Sequence, residues 1–126
     1  PKLTEVDQYI FSIFDENVKK YQEAFDINGL ADSGYDLLRY SEGEEYKIHC
    51  DQLIAHPGSD RVVSGLIYVN DDYSGGEIEF DRFNLKIKPE AGTVLLFPSN
   101  FIYTHQSHPV SAGVKFAVVV FFRRTS

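Results

Sequence analysis

The sequence holds a single cysteine, Cys50, in 126 residues. One cysteine makes no internal disulfide, so this is not the framework of a stapled secreted domain, and a reducing compartment suits it better. No apolar run approaches the roughly 18 residues that cross a bilayer, and no basic-plus-apolar leader opens the chain. These absences point to a cytoplasmic protein with no membrane partner, although a start at Pro1 leaves room for a removed leader or a longer N-terminus. Positive charge is also short, with 12 Lys and Arg against 19 Asp and Glu, a net charge of -7. An acidic chain does not attract phosphate backbones through its overall field, which argues against nucleic acid as a partner. Arg123-Arg124, the only adjacent arginines, read as a solvated chain end. Linkers, repeats and low-complexity segments are missing too, so residues 1–126 are read as one domain.

What is present is apolar and aromatic: 43% hydrophobic residues and 14% aromatics argue against disorder. Leu3, Val6, Ile10, Ile13, Phe14, Val18, Tyr21 and Phe25 recur at helical spacing. They predict one amphipathic helix from Thr4, a plausible N-cap with Asp7 in the capping-box position, ending by about residue 27 before Asn28-Gly29. From Tyr35 the pattern changes to short strands near 35–40, 45–51, 61–70, 76–80, 84–88, 92–97, 103–108 and 114–123, separated by Gly, Pro, Asn and Ser. The fold class expected is mainly β with an N-terminal helix, its core (about 35–123) a double-sheet jelly roll or a barrel.

Tyr46-Lys47-Ile48-His49-Cys50-Asp51 carries the chemistry. On a strand, His49 and Asp51 share one face, and Tyr46, Ile48 and Cys50 take the other. A second imidazole beside them would complete two His and one carboxylate, the facial donor set of non-haem iron oxygenases. His56 reads as an exposed loop residue. His105 and His108 face opposite sides of one strand, so only one can join. A hairpin loop over Val110 to Gly113 would fold strand 103–108 onto 114–123 and bring His105 near Lys115. Lys115 is out of place in the apolar run Val114 to Phe122. Burying an unpaired ammonium is costly, so an anionic partner is expected, either a protein carboxylate or a ligand carboxylate.

Taken together, Tyr46 to Asp51, Arg61, Leu66 to Asn70, Gly75-Gly76-Glu77, Pro89 to Gly92 and His105 to Lys115 resemble the 2-oxoglutarate/Fe(II)-dependent dioxygenases. The prolyl 4-hydroxylase-like branch is the most similar. The resemblance implies a double-stranded β-helix core and His49, Asp51 and His105 as ligands of Fe(II). It implies Lys115 as partner of the distal carboxylate of 2-oxoglutarate, with Tyr68 supporting that carboxylate and Tyr40 contacting the cosubstrate. It further implies dioxygen as co-reactant, ascorbate as a candidate reductant, and hydroxylation of a substrate C–H with release of succinate and CO2. No protein acid or base is required.

Asp51 stands where related halogenases have a small residue, which favours hydroxylation. Lys115 stands where nucleic-acid demethylases typically use arginine. Members of the branch usually carry more sequence before the core, where substrate-gripping segments often lie. The expected substrate is a peptidyl proline. The alternatives are a free amino acid or another side chain, a cupin-like metal-binding domain without oxygenase activity, and a structural β-sandwich with satisfied core histidines.

Overall fold

The computed structural model describes residues 2–52 and 60–125, with side chains from Thr4 onward. Among the described residues, helix α1 (Lys2–Phe25) is followed by ten strands: β1 (Leu30–Tyr40), β2 (Tyr46–His49), β3 (Arg61–Tyr68), β4 (Ser74–Gly75), β5 (Ile78–Phe80), β6 (Leu85–Ile87), β7 (Val94–Pro98), β8 (His105–Ser107), β9 (Val110–Ala112) and β10 (Lys115–Arg124). The major sheet runs β1-β10-β3-β7 and the minor sheet β2-β8-β5-β6, with β4-β9 as a short ribbon. All strand pairs are antiparallel.

Period-2 alternation gives the major sheet two different faces. Val118, Val120 and Phe122 of β10 and Val63 and Ile67 of β3 point to α1 and bury Phe14 and Val18. Ser64 and Leu66 of β3 and Val119 and Phe121 of β10 point the other way and line a cavity against the minor sheet. β10 is therefore covered on both faces, which is why its sequence is apolar nearly throughout. A second cluster, Ile78, Phe80 and Phe97 with Leu66 and Leu95, ties the two sheets together. Gly65 lets the helix approach: a β-carbon there would lie 2.8 Å from Val120 and 3.2 Å from Phe14.

Several expectations are corrected. The helix begins at Lys2, so Thr4 lies inside it and does not cap it. Val6 and Phe25 of the predicted stripe are exposed, because the sheet reaches only the middle of the helix. β1 starts five residues earlier than the pattern suggests, past a register shift between Asp32 and Tyr35. The predicted hairpin over Val110 to Gly113 does not form. Val110–Ala112 is itself a strand that pairs with β4, so β8 and β10 enter different sheets. His56 lies outside the described residues.

Candidate active site

β2 and β8 set the centre of the site. Their antiparallel register places His49 directly opposite His105, and cross-strand partners put their side chains side by side. The two rings are 4.4 Å apart between centroids. Asp51 lies two residues beyond His49, and here the sequence reading is corrected. β2 ends at His49, and Asp51 occupies a helical turn. Its carboxylate nonetheless returns to the imidazoles, with Oδ1 3.0 Å from His49 Nε2 and 3.5 Å from His105 Nε2. The three donor atoms fall within 4.8 Å of one another, and Asp51 and His105 are buried.

Supporting bonds orient each donor. His49 Nδ1 donates to Lys47 O at 2.7 Å and His105 Nδ1 to Tyr103 O at 2.9 Å. Those contacts fix the tautomer that leaves both Nε2 lone pairs facing inward. Asp51 Oδ2 accepts from Ser64 Oγ at 2.6 Å, and Ser64 Oγ lies 2.8 Å from Ser99 Oγ. Burial works against charge on His49, but the bonds to Asp51 and Lys47 outweigh it and raise its pKa. Burial likewise works against ionised Asp51, and the His49 bond, His105 and Ser64 together hold its pKa low. His105 is pushed down by burial, with Asp51 opposing. Two inward imidazole nitrogens and an ionised carboxylate oxygen, each held from behind, fit a divalent iron with open positions.

His108 does not join. Its Nε2 sits 2.7 Å from Glu79 Oε1. Tyr46 is a correction in the opposite direction: read as facing away, it stacks 4.2 Å from the His49 ring and lines the same cavity. The register shift between Tyr46 and His49 breaks the alternation that would have separated them.

The cavity, about 210 Å³, runs along the major sheet from Tyr40 past Leu66, Val119 and Phe121 to Arg61. It lies below the roughly 300–1,000 Å³ of drug-sized sites. Arg61 donates to Asp51 O at 3.1 Å and stacks 3.7 Å over the Phe121 ring.

Lys115 lies across the β1–β10 ladder from Tyr40. It is 2% exposed, and its ammonium donates to Gly76 O at 2.9 Å. Of the two anionic partners expected, a protein carboxylate is not found: among the described residues Lys115 makes no ion pair. Burial pushes its pKa down to about 8, with Glu77 opposing. The ammonium stands 4.9 Å from the Tyr40 ring and 5.7 Å from the Tyr68 ring. Burial raises the phenols of Tyr68 and Tyr40, so both remain protonated donors. Tyr40 also lines the cavity that holds His49, Asp51 and His105. A carboxylate passing Tyr40 would therefore meet a desolvated cation and hydroxyl donors, which suits a dicarboxylate cosubstrate.

Sequence reasoning missed Ser64 and Ser99. Ser64 had a signal, a polar residue on the inward face of the apolar run Val62 to Ile67. Ser99 had none, since it sits in a stretch that reads as turn.

The family model described as 2OG-Fe(II) oxygenase superfamily matches residues 35–123. A PKHD-type hydroxylase of Pseudoalteromonas atlantica is 34% identical over 84 residues, covering 60% of this chain and 36% of that protein. Prolyl 3-hydroxylase 2 of Homo sapiens is 30% identical over 93 residues, covering 61% of this chain and 13% of that one. The chain spans less than half the length of the curated relatives it matches. Among solved structures, viral collagen prolyl hydroxylase from Paramecium bursaria Chlorella virus-1, in complex with 2OG, superposes with a TM-score of 0.80. The two are 24% identical, and the match covers 97% of this chain and 74% of that one. The shared architecture is the double-stranded β-helix.

Proposed function

Because the chain belongs to the 2OG-Fe(II) oxygenase superfamily, we propose that it is an Fe(II)- and 2-oxoglutarate-dependent dioxygenase that hydroxylates a prolyl residue of a peptide. The observation that carries this is a pairing of two features. A two-His, one-carboxylate cluster lines the cavity together with Tyr40, and a buried lysine with no ion pair among the described residues stands 4.9 Å from the Tyr40 ring.

His49 and His105 would hold iron through Nε2 and Asp51 through Oδ1. Bound there with 2-oxoglutarate and dioxygen, iron supplies the oxidising chemistry that inserts oxygen into a C–H bond and releases succinate and CO2. The chain's own residues position and enclose. Ser64 and Ser99 fix the unused oxygen of Asp51, so the ligating oxygen keeps its direction. Lys115 neutralises the distal carboxylate of the cosubstrate, with Tyr68 and Tyr40 as neighbouring donors. Leu38, Leu66, Val119 and Phe121 give the cavity a dry wall, which strengthens each of these charge contacts. No side chain is asked to move a proton during the hydroxylation.

The prolyl substrate is supported by the relatives' names. A prolyl hydroxylase of Trichoplax adhaerens in complex with a peptide fragment shares the fold at a TM-score of 0.71. Cys50, the sole cysteine of the sequence, is buried and free, in keeping with action in the cytoplasm, where thiols stay reduced. The test is anaerobic loading with Fe(II) and 2-oxoglutarate, followed by succinate release on proline peptides. A weak visible charge-transfer band and peptide-stimulated succinate are expected. Iron-loaded protein that shows no band would overturn the cosubstrate assignment. A band with succinate released only in the presence of free amino acids would overturn the peptide.

A further inference from the structure

Strand β1 inverts the usual strand pattern at one point. Its inward face carries Asp36, Leu38 and Tyr40, and all three line the cavity that holds His49, Asp51 and His105. Leu37, on the opposite face, is 64% exposed. An acid turned toward a site and a leucine turned toward water contradict the alternation expected of a strand with one covered face. Such local contradictions concentrate at functional positions. Among the described residues, Asp36 makes no hydrogen bond or ion pair, and it is the only carboxylate besides Asp51 on the cavity wall. Its neighbours on that wall, Leu38 and Val119, are apolar. Arg61, the cation of the same wall, is engaged with Asp51 O and the Phe121 ring.

The register gives the scale. Asp36, Val119 and Leu66 form one row across β1, β10 and β3. Neighbouring strands lie about 4.8 Å apart, so Asp36 stands roughly 10 Å along that row from Leu66. Leu66 shares the inward face of β3 with Ser64, whose hydroxyl bonds Asp51. Asp36 is therefore beyond contact with a residue reacting at the donor cluster. It stands at the distance of a neighbour about three residues away on an extended peptide, at about 3.3 Å per residue. β1 is an edge strand of the major sheet, so a chain leaving the cavity past Asp36 meets no further strand there. The net charge of -7 favours the approach of a cationic segment over an acidic one. We infer that Asp36 is a specificity-determining residue that pairs with a Lys or Arg side chain within about three residues of the hydroxylated one, so that the preferred substrate is a basic peptide segment. The inference rests on the peptide-hydroxylase reading proposed above and names the chemistry of that peptide.

The experiment gives the full chain, with Fe(II), 2-oxoglutarate and dioxygen, an acetylated and amidated peptide library. Each peptide has a central proline and randomised residues on both sides. Products that gain one oxygen are sequenced by mass spectrometry. The parent should enrich Lys and Arg at a flanking position. For a single peptide with Lys there, kcat/KM should exceed that of its Gln counterpart by about fivefold, the upper range for a solvent-accessible charge pair. Added salt should shrink that preference. Asp36→Asn should make the two peptides equal, and Asp36→Lys should turn the preference toward the Glu counterpart. A merely structural role would shift all the peptides alike and would not reverse with charge. Hydroxylated products without basic enrichment, or an enrichment that survives in Asp36→Asn, overturn the inference alone. A protein that forms the iron–2-oxoglutarate band yet hydroxylates no peptide of the library overturns the peptide assignment and this inference together.

Discussion

Ser64 Oγ donates a 2.6 Å hydrogen bond to Asp51 Oδ2, joining the inward face of β3 to the carboxylate that faces both imidazoles. The bond leaves Oδ1 as the free oxygen and sets the direction of its lone pairs. Ser64→Ala would let the carboxylate rotate. Metal affinity should fall about tenfold, in the range seen for lost outer-shell partners, with little change in melting temperature of the metal-free protein. Competitive metal titration checks both.

The two His-to-carboxylate arrangements separate cleanly by mutation. His105→Ala, His49→Ala and Asp51→Ala should each abolish iron retention after desalting. His108→Ala should retain iron, because its imidazole is already engaged by Glu79. Metal analysis of the four variants decides this, and loss of iron in His108→Ala would contradict the donor set.

Lys115 should make cosubstrate binding fall at alkaline pH. Burial lowers its pKa to about 8, so the free protein carries the ammonium below that pH and loses it above. The Kd for 2-oxoglutarate should be constant below about pH 7 and rise above about pH 8. Near pH 8, binding should take up a proton, visible as a dependence of calorimetric heat on buffer ionisation.

The same residue has a stability signature of determined sign. The folded pKa lies below the ordinary 10.5 of an unfolded lysine. Between about pH 8 and 10.5 the unfolded chain binds the extra proton, so stability of the unliganded protein should rise with pH across that window. Lys115→Met keeps the volume and removes the buried charge. It should stabilise the unliganded protein at pH 7 by on the order of 3 kcal/mol, the equivalent of the shift, while abolishing 2-oxoglutarate binding. Urea unfolding at pH 7 and 10 measures the difference.

Gly65→Ala tests the docking of the helix. The new methyl would stand 2.8 Å from Val120 Cγ1, 2.9 Å from Leu96 Cδ2 and 3.2 Å from Phe14 Cε1. Overpacking of this kind costs about 1–3 kcal/mol. Metal affinity should change little, because Gly65 faces α1 and the donor set faces the other side.

The chemistry of the chain was legible in its residue order. Periodicity gave the helix and the two-faced strands, because a side chain's direction follows from local backbone geometry. His49 and Asp51 could be named as a candidate donor pair because few residue types bind iron, whereas the preference for His105 over His108 rested on a hairpin that does not form and on the family resemblance. Lys115 stood out because an ammonium in an apolar run needs a reason. Local pattern could not supply partners, since β pairing joins segments distant in sequence and alternation says which side a residue faces but not whom it meets. The hairpin expected after His108 failed for that reason: β9 is captured by β4, and His105 meets His49 rather than Lys115. Tertiary structure alone decided that Asp51 returns from a helical turn onto Ser64, that a register shift swings Tyr46 over His49, and that Lys115 is buried with Gly76 O as its acceptor. Each of these depends on two strands or turns meeting in space, whereas the candidate donor types, two imidazoles and a carboxylate, were already present in the chain.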